Sequence, residues 1–342
     1  MVLRMSERND LTVAARDSST AAPDRNALKE LAAVIFEKYA TLLLLVVLVV
    51  GFSVASNRFL TTQNLTNLLV VQAVISCVTF AAIIPLIAGE FDLSLGNMIG
   101  FLAMVGAVLG AAGYGAAVVV SAMIVAGVIC GLINGALTVR FEISSFIATL
   151  GTGILLSGFT FALSSGQVIF SGVPETVTYV GQERFLGLGI TVWLTIVIAI
   201  ALLYLTEHTP FGRKLYAIGG SERVAFLAGI RTGRLKILAF AVAGLLIGIG
   251  AVFALGQNGA ANPGFGPDLL LPAYAAAFLG VTSYRPGYYN VPGSIVAILL
   301  LAVGFNGLNL LGAPFWVQPI FNGAVLLVAV ITARAEARHI KK

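Results

Sequence analysis

Apolar runs long enough to cross a lipid bilayer recur along almost the whole chain. A membrane-spanning helix needs about 20 mostly apolar residues, and about ten such runs are separated by polar, Gly or Pro residues. The runs are Tyr39 to Ser56, Leu68 to Ala88, Leu93 to Gly113, Gly115 to Thr138, Phe146 to Leu163, Leu188 to Leu205, Leu235 to Gly256, Leu269 to Thr282, Pro292 to Leu311 and Val317 to Ala333. The eighth run is short, so we expect it to tilt or to be broken. The chain is therefore predicted to be all-α, a polytopic membrane helical bundle of about ten transmembrane helices.

The composition excludes a water-soluble globular protein. Hydrophobic residues make up 58% of the chain and charged residues only 10%, whereas soluble domains carry roughly 25% charged residues. The 38 glycines favour close packing, because small residues let helix backbones approach each other in lipid. Lipid is therefore predicted to surround most of the chain.

Lysine and arginine residues are unevenly distributed between alternate ends of the runs. Positively charged loops stay in the cytoplasm, and when the amino terminus is placed there only Arg58 and Arg184 fall on the outer side. An even number of spans then puts both termini in the cytoplasm. The net charge of +5 is interpreted as a topology signal and as contact with membrane lipid, with no nucleic acid as a partner.

The chain is predicted to consist of three parts. Residues 1–38 alternate acidic and basic side chains and lack the early apolar core of a cleavable signal peptide, which is typical of a cytoplasmic amino-terminal leader. Residues 39–333 form the transmembrane domain, and residues 334–342 form a cytoplasmic tail. Within the domain, an outer loop over residues 164–187 is rich in Gly, Pro and β-branched residues, a pattern that favours a hairpin on the external surface.

The basic inner loop over residues 206–236 is longer than a bare connection requires. Phe211, Leu215 and Ile218 are spaced to form the apolar side of one short helix. An amphipathic element of this kind is suited to bind a cytoplasmic partner. The alternative is that the basic residues only hold the loop on the cytoplasmic side.

A second short helix is predicted directly after the first. Gly219 and Gly220 are expected to form the turn between the two helices, Ser221 to cap the second helix at its amino end, and Gly229 to lie near its end.

Two carboxylates, Glu90 and Asp92, lie between the second and third runs. A carboxylate at the centre of a bilayer costs about 2.5 to 3.5 kcal/mol, so these two are tolerable near the interface or facing a wet cavity. The alternative is that Asp92 or Ser94 caps the third helix, whose amino end favours negative charge. The role of Glu90 is left open.

Uncharged polar residues are scattered through the runs and include Ser76 and Gln318. Some are candidates to line a route for a hydroxyl-rich solute, but such groups more often only bond neighbouring helices, at about 0.6 kcal/mol for each bond. The candidates for a translocation pathway are Gln72, Glu90, Asp92, Asn97, Asn134, Thr149 and Asn306.

A short stretch of the fourth run is weakly similar in sequence to a stretch of the ninth run. Residues 131–135 read Gly-Leu-Ile-Asn-Gly, and residues 303–307 read Val-Gly-Phe-Asn-Gly. An odd offset in helix number reverses the direction of the chain across the bilayer, as in an inverted repeat. Because Asn-Gly pairs also recur by chance, this similarity only suggests an inverted repeat.

Several function classes are excluded by what the sequence lacks. It contains no G-x-x-x-x-G-K-[ST] phosphate loop, so the chain does not itself hydrolyse ATP by that route. The runs hold essentially no Asp, Glu, Arg or His away from their ends, which argues against a proton-coupled carrier. The two cysteines, Cys77 and Cys130, cannot form a zinc cluster, and no catalytic residue, metal site or cofactor is predicted.

Four blocks carry a more specific pattern. They are Gly-Glu-Phe-Asp-Leu-Ser-Leu-Gly at 89–96, the pair of stretches 131–137 and 146–151, the loop stretches 212–220 and 225–230, and Lys-Ile-Leu-Ala-Phe-Ala-Val-Ala-Gly at 236–244. Together they resemble the permease family of ribose-type and related sugar ABC importers, over about Asn64 to Ala333. In that family the first block reads Gly-Gly-Ile-Asp-Leu-Ser-Val-Gly.

The resemblance implies a permease subunit of an ATP-driven importer in the bacterial inner (plasma) membrane. The loop over residues 206–236 would be the coupling element that binds a separate ABC ATP-binding subunit, so the chain itself would be no enzyme. The residues that would make or shape this contact are Arg213, Gly219, Gly220, Ser221, Glu222, Ala225 and Gly229. The other implied partners are an extracytoplasmic solute-binding protein and a second permease copy or a sister protein.

The resemblance also implies the cargo, a monosaccharide or a related small polar solute carried by alternating access. A ribose-like sugar is the first candidate substrate, and a polyol or a furanosyl signalling molecule is the second. Residues 269–280 and 281–291 depart from the family pattern, which has an early acidic residue and a Gly-Gly-Thr-Ser stretch, so the substrate is left open. The alternative function is a self-contained secondary carrier or a facilitative channel for small polar solutes.

Overall fold

The structure of the protein, a computed structural model, describes residues 41–340, of which residues 332–340 are described by their backbone alone. The leader predicted over residues 1–38 lies outside the described residues, and so do residues 341–342 of the predicted tail.

The described chain is built mainly of helices. Those long and apolar enough to cross a membrane are α2 (Thr62–Ile87), α4 (Ala116–Arg140), α5 (Ser145–Ser164), α7 (Ile190–His208), α10 (Thr232–Asn258) and α12 (Val291–Leu310). Other apolar helices are α1 (Thr41–Ala55), α3 (Leu95–Ala111), α11 (Pro267–Gly280) and α13 (Val317–Ile340), the last being apolar over Val317–Ile331. Shorter elements are α6 (Glu175–Gln182), α8 (Pro210–Gly220), α9 (Glu222–Leu227) and the strands β1 (Arg184–Phe185) and β2 (Leu188–Gly189).

These helices confirm a helical membrane bundle, since each predicted run overlaps one of the apolar helices. The number of about ten spans and the inverted repeat stay predictions. The second run extends further than predicted: α2 begins at Thr62 and not at Leu68, because the Thr61 hydroxyl accepts a hydrogen bond from the Asn64 amide and caps the helix. The short eighth run is not broken, because α11 continues without interruption.

The outer loop over residues 164–187 is a hairpin only in part. It folds mainly as α6, and the two-residue strands β1 and β2 pair antiparallel after it. Leu186 and Gly187, between the strands, have φ angles of 51° and 82°, the positive values that a tight hairpin turn of type I′ requires. The predicted hairpin is therefore present, but it is much smaller than the loop.

Burial differs sharply among the long helices. Within the most apolar stretch of each helix, 78% of residues in α2 and 61% in α10 and α12 are buried, against 22% in α4 and 28% in α5 and α7. The first group forms the centre of the bundle. Helices α4, α5 and α7 therefore present most of their apolar surface to lipid or to another membrane subunit.

Helices α4 and α10 meet backbone to backbone. Gly127, Gly131 and Gly135 recur every four residues along α4 and face α10. A Cβ atom on Gly131 would lie 2.1 Å from the carbonyl oxygen of Phe240. Only glycine fits there, as is usual where membrane helices pack through small residues.

The two ends of the bundle carry different elements. One end, which we call the α8 end, carries α8, α9, the loop over residues 88–94 and the loop over residues 281–290. The opposite end carries α6 and the hairpin, and there Ile169 forms an antiparallel bridge with Ala261.

The α4–α10 contact gives a direct stability test. We expect Gly131→Ala to lower the thermal unfolding temperature of the detergent-solubilised protein, because overpacking typically costs about 1–3 kcal/mol. The matched control is Gly51→Ala in α1, where nothing lies within 4 Å of the added Cβ atom. Equal unfolding temperatures for the two variants would contradict the observed packing.

Candidate functional site

Residues 88–94 connect α2 to α3 without helical structure, and we call them the junction loop. Side chains of α5 bind its backbone amides: Phe91 N–H donates to Ser145 Oγ at 3.1 Å, and Leu93 N–H donates to Thr149 Oγ1 at 2.9 Å. Thr149 is fully buried and donates in turn to the carbonyl oxygen of Ser145. The first turns of α5 therefore hold the junction loop in place.

Asp92, in the same loop, is fully buried in a hydrogen-bonded network. Its backbone exchanges two hydrogen bonds with the Tyr274 hydroxyl of α11, at 3.0 and 2.9 Å. Its Oδ1 accepts from the Ser94 hydroxyl at 2.5 Å, and Asn134 Nδ2 of α4 donates to Ser94 Oγ at 2.8 Å and to Asp92 Oδ1 at 3.3 Å. Thr152 of α5 donates to Asn134 Oδ1 at 2.7 Å. The network thus joins α4, α5 and α11 around Asp92, whose carboxylate is bonded by Asn134 and whose backbone is bonded by Tyr274.

Ser94 is the N-cap residue of α3, as one of the two predicted alternatives has it, but neither Asp92 nor Ser94 makes the side-chain bond of a cap. The Ser94 hydroxyl makes no capping bond, since it donates to Asp92 and accepts from Asn134. Asp92 accepts from the amide of Ser94 itself at 3.0 Å, one residue ahead of the helix. A cap accepts instead from the second or third helical residue.

Glu90, also in the junction loop, pairs with Lys236 near the start of α10. Lys236 Nζ lies 2.7 Å from Glu90 Oε1 and 2.6 Å from Glu222 Oε2 of α9. The side chains of Lys236 and Glu90 are 10% and 15% exposed, whereas that of Glu222 is 51% exposed. One lysine therefore connects the junction loop, α9 and α10.

Helix α8 packs against the end of α2. Leu215 and Ile218 are buried and Phe211 is partly buried, which confirms the predicted apolar side of this helix. The predicted turn at Gly219 and Gly220 is wrong, since both residues belong to α8. The physical reason for glycine at 219 is close approach: a Cβ atom there would lie 2.0 Å from the carbonyl oxygen of Ile87.

A second set of contacts ties α8 to the loop over residues 281–290. Tyr216 donates its hydroxyl to the carbonyl oxygen of Tyr289 at 2.7 Å, and burial, reinforced by the Glu207 carboxylate, raises the pKa of Tyr216, which keeps this donor protonated. Arg285 Nη1 lies 2.6 Å from Glu207 Oε2 at the end of α7, and its guanidinium lies 5.4 Å from the centre of the Tyr216 ring. Helix α8 is therefore held from both sides.

Helix α9 is short and has one buried and one exposed side. Ser221 caps it, as predicted, by accepting from the Val224 amide at 3.4 Å, and Ala225 is buried. Val224, Phe226 and Leu227 are 64%, 67% and 76% exposed. The sequence did not single out these three apolar residues, although their position beside Ala225 on a basic loop was a usable signal.

The other residues predicted for the coupling contact also have defined positions. Arg213 is exposed and its Nη1 donates to the carbonyl oxygen of His208 at 3.4 Å. Gly220 is exposed, with nothing within 4 Å of an added Cβ atom. Gly229 follows α9 with a φ angle of +80°, which glycine adopts readily.

The predicted pathway residues fall into two groups. Glu90, Asp92, Asn134 and Thr149 come together around the junction loop, as described above. The others lie apart. Gln72 lines an almost entirely apolar cavity of about 250 Å³ between α2, α7 and α12. Asn97 packs against α5 at Gly153, and Asn306 exchanges hydrogen bonds with Asn64 at the opposite end. Ser76 lines the same cavity as Gln72, and Gln318 lines a cavity of about 40 Å³ between α2, α11, α12 and α13. A role in translocation stays a prediction for all of them.

The chain is similar in sequence to permeases of known transport systems. The family model described as a branched-chain amino acid transport system, permease component, matches residues 64–330. The ribose import permease protein of Escherichia coli (strain K12) is 31% identical over 294 residues, 85% of this chain and 92% of that protein. That of Bacillus subtilis (strain 168) is 31% identical over 319 residues, 89% of this chain and 94% of that protein. The L-arabinose ABC transporter permease protein of Azospirillum brasilense is 30% identical over 285 residues, 83% of this chain and 84% of that protein.

The chain belongs to the family of sugar ABC importer permeases. The resemblance found in its motifs is thereby confirmed. No solved structure matches this permease. As a permease component it is a multi-pass inner-membrane subunit, and ATP hydrolysis belongs to a separate subunit.

The permease also uses residues that the sequence pattern did not predict as site residues. Ser145 and Tyr274 bond the junction loop directly, and Thr152 bonds Asn134. Lys236 pairs with two carboxylates. In the sequence, Lys236 belongs to the basic loop and to the 236–244 block, but it was not predicted as a site residue. Its position at the start of a long apolar run was a signal that its charge needs either a partner or a route to water.

The Asp92 network gives a second stability test. We expect Asp92→Ala to destabilise the permease by about 1–3 kcal/mol for each polar group left without its acceptor, since Ser94 and Asn134 are buried there. Thermal unfolding in detergent measures the loss. Asp268→Ala is the control, because Asp268 is exposed in the first turn of α11. A loss no greater than in the control would contradict the account of the network.

Proposed function

We propose that this permease carries a monosaccharide or a related small polar solute, and that an ABC ATP-binding subunit docks at the α8 end. In this proposal the α8 end and both termini are cytoplasmic, and about ten helices span the membrane. The opposite end receives cargo from an extracytoplasmic solute-binding protein. A second copy, or a sister permease, completes the transporter, and ATP hydrolysis in the partner drives alternating access.

The observation that carries the proposal is the exposed apolar surface of α9. Val224, Phe226 and Leu227 present large apolar side chains on an otherwise basic loop, where a solvated surface favours polar residues. Apolar residues at the centre of a protein interface, with charged residues at its rim, are typical of a docking site. Arg223, which lies on α9 itself, is exposed and supplies a charge for such a rim.

The attachment of this surface supports a role in coupling. Helices α8 and α9 are not a loose loop, because Gly219 touches α2, Tyr216 bonds the loop over residues 281–290, and Glu222 pairs with Lys236. A partner that moves α9 therefore moves several membrane helices. A loop that only fixed topology would need none of these contacts.

The substrate class rests on the relatives. Their names specify ribose and L-arabinose, which are monosaccharides. We propose that the polar residues named above, including Gln72, Asn97 and Asn306, line the route of such a solute when the transporter opens. The solute-binding protein selects the individual sugar, so a ribose-like monosaccharide is the first candidate.

A secondary carrier is less well supported. Carriers driven by ions place titrating residues near the middle of the membrane. In the part of the chain that the structure describes, the ion pairs formed by Glu90, Lys236 and Arg285 lie at the α8 end. These charges are placed to hold the ends of helices together.

The docking surface can be tested by association with the ATP-binding subunit. We expect Phe226→Asp to reduce co-purification at least tenfold, because a charge replaces a central apolar contact, and hot-spot residues contribute about 2 kcal/mol or more. The control is Phe170→Asp at the opposite end, where Phe170 is 77% exposed. Undiminished co-purification of Phe226→Asp, with normal membrane insertion, would refute the proposed docking surface.

Substitutions at two neighbouring glycines distinguish an effect on partner binding from an effect on folding. Gly220→Leu adds a side chain into open space, so we expect normal thermal stability and weakened binding of the ATP-binding subunit. Gly219→Leu forces α8 away from Ile87, so we expect lower thermal stability as well. Thermal unfolding and co-purification are measured for both variants. If Gly220→Leu binds the partner normally, Gly220 is not part of the contact.

A further inference from the structure

Lys236 is the point at which three segments of the permease meet. Its ammonium group lies between Glu90 of the junction loop and Glu222 of α9, at 2.7 and 2.6 Å, while its backbone belongs to α10. Lys236 and Glu90 are nearly buried, and Glu222 is half exposed on the helix that we propose to contact the ATP-binding subunit. The cluster thus extends from a partner surface into the membrane domain.

The junction loop extends this connection to three more helices. Glu90 is followed directly by Phe91, Asp92 and Leu93, whose amides are held by side chains of α5 and α11. The Asp92 carboxylate is bonded by Asn134 of α4. A displacement of Glu90 therefore acts, within a few residues, on α4, α5 and α11.

We propose that Lys236 is a positioning residue for transport, whose paired contacts with Glu222 and Glu90 transmit the movement of α9 to the junction loop. The proposal rests on the proposed function, since α9 is driven only if an ATP-binding subunit binds it. It assigns to Glu222 an internal role, in place of direct contact with that subunit.

The two ion pairs differ in a way that suits this role. The Lys236–Glu90 pair is largely removed from water. Separating its two charges would leave each of them buried without a partner, so this pair stays formed. The Lys236–Glu222 pair is open to solvent on one side and is screened more strongly. A substitution at Glu222 therefore removes the outer pair while the inner pair stays formed.

The ion pair also adds something that packing does not provide. Gly219 of α8 touches the carbonyl oxygen of Ile87, and such a steric contact transmits only a push toward α2. An ion pair resists separation as well as approach. Movement of α9 away from the membrane is therefore transmitted through Glu222 and Lys236.

The test uses the complete transporter in vesicles, with radiolabelled ribose and its solute-binding protein. For Glu222→Gln we expect normal association with the ATP-binding subunit and continued ATP hydrolysis, but a fall of roughly fivefold or more in sugar transported per ATP hydrolysed, the size of a typical coupling between sites. Lys236→Arg, which keeps both pairs, should retain the ratio. The control Arg234→Gln changes an exposed charge of the same helix and should also retain it.

A second comparison shows whether Glu222 acts through Lys236. In a Glu90→Gln, Lys236→Met background, which removes both charges of the inner pair together, adding Glu222→Gln should cause no further fall. A further fall, a wild-type ratio for Glu222→Gln alone, or its loss of association with the ATP-binding subunit would each overturn the proposal. If the background variant does not insert, the Glu222→Gln and Lys236→Arg results decide. Sugar accumulation by the wild type without the ATP-binding subunit would instead refute the proposed function.

Discussion

The rest of the structure depends on one constraint: backbone N–H and C=O groups that lie away from water must find hydrogen-bond partners within the protein. Non-helical backbone in a membrane domain is tolerated only where protein or a wet cavity covers it. The junction loop meets this requirement through the side chains of Ser145, Thr149 and Tyr274, which bond its amides. Because these side chains come from α5 and α11, the loop is also the place where separate helices are tied together.

The same loop explains why the α8 end is suited to coupling. Glu90 reaches Lys236 and, through it, Glu222 of α9, while Gly219 places α8 directly on the end of α2. The exposed side of α9 carries the apolar side chains of Val224, Phe226 and Leu227, while Ala225 is buried. A partner that binds the exposed side thus acts on membrane helices through short, mostly buried contacts. At the opposite end, α6 and the small hairpin form a separate surface.

Sequence patterns predicted elements that depend on local chemistry. The apolar runs, the apolar side of α8 and the cap at Ser221 follow from residue type and spacing, and each is present. The turn at Gly219 was wrong because its glycine is required by a contact with Ile87, which is distant in sequence. The Asp92 network was missed for the same reason, since Tyr274 and Asn134 belong to other helices. The family resemblance singled out residues 206–236 as the proposed coupling loop, but it did not reveal that Lys236 pairs with Glu90.

The central claim is that this membrane bundle transports sugar only through work done by a partner bound at α9. The most direct measurement is the accumulation of radiolabelled ribose in vesicles that contain the permease and are supplied with its solute-binding protein. We expect accumulation only when the ATP-binding subunit and ATP are both present. Accumulation of the sugar in vesicles that lack the ATP-binding subunit would contradict the account.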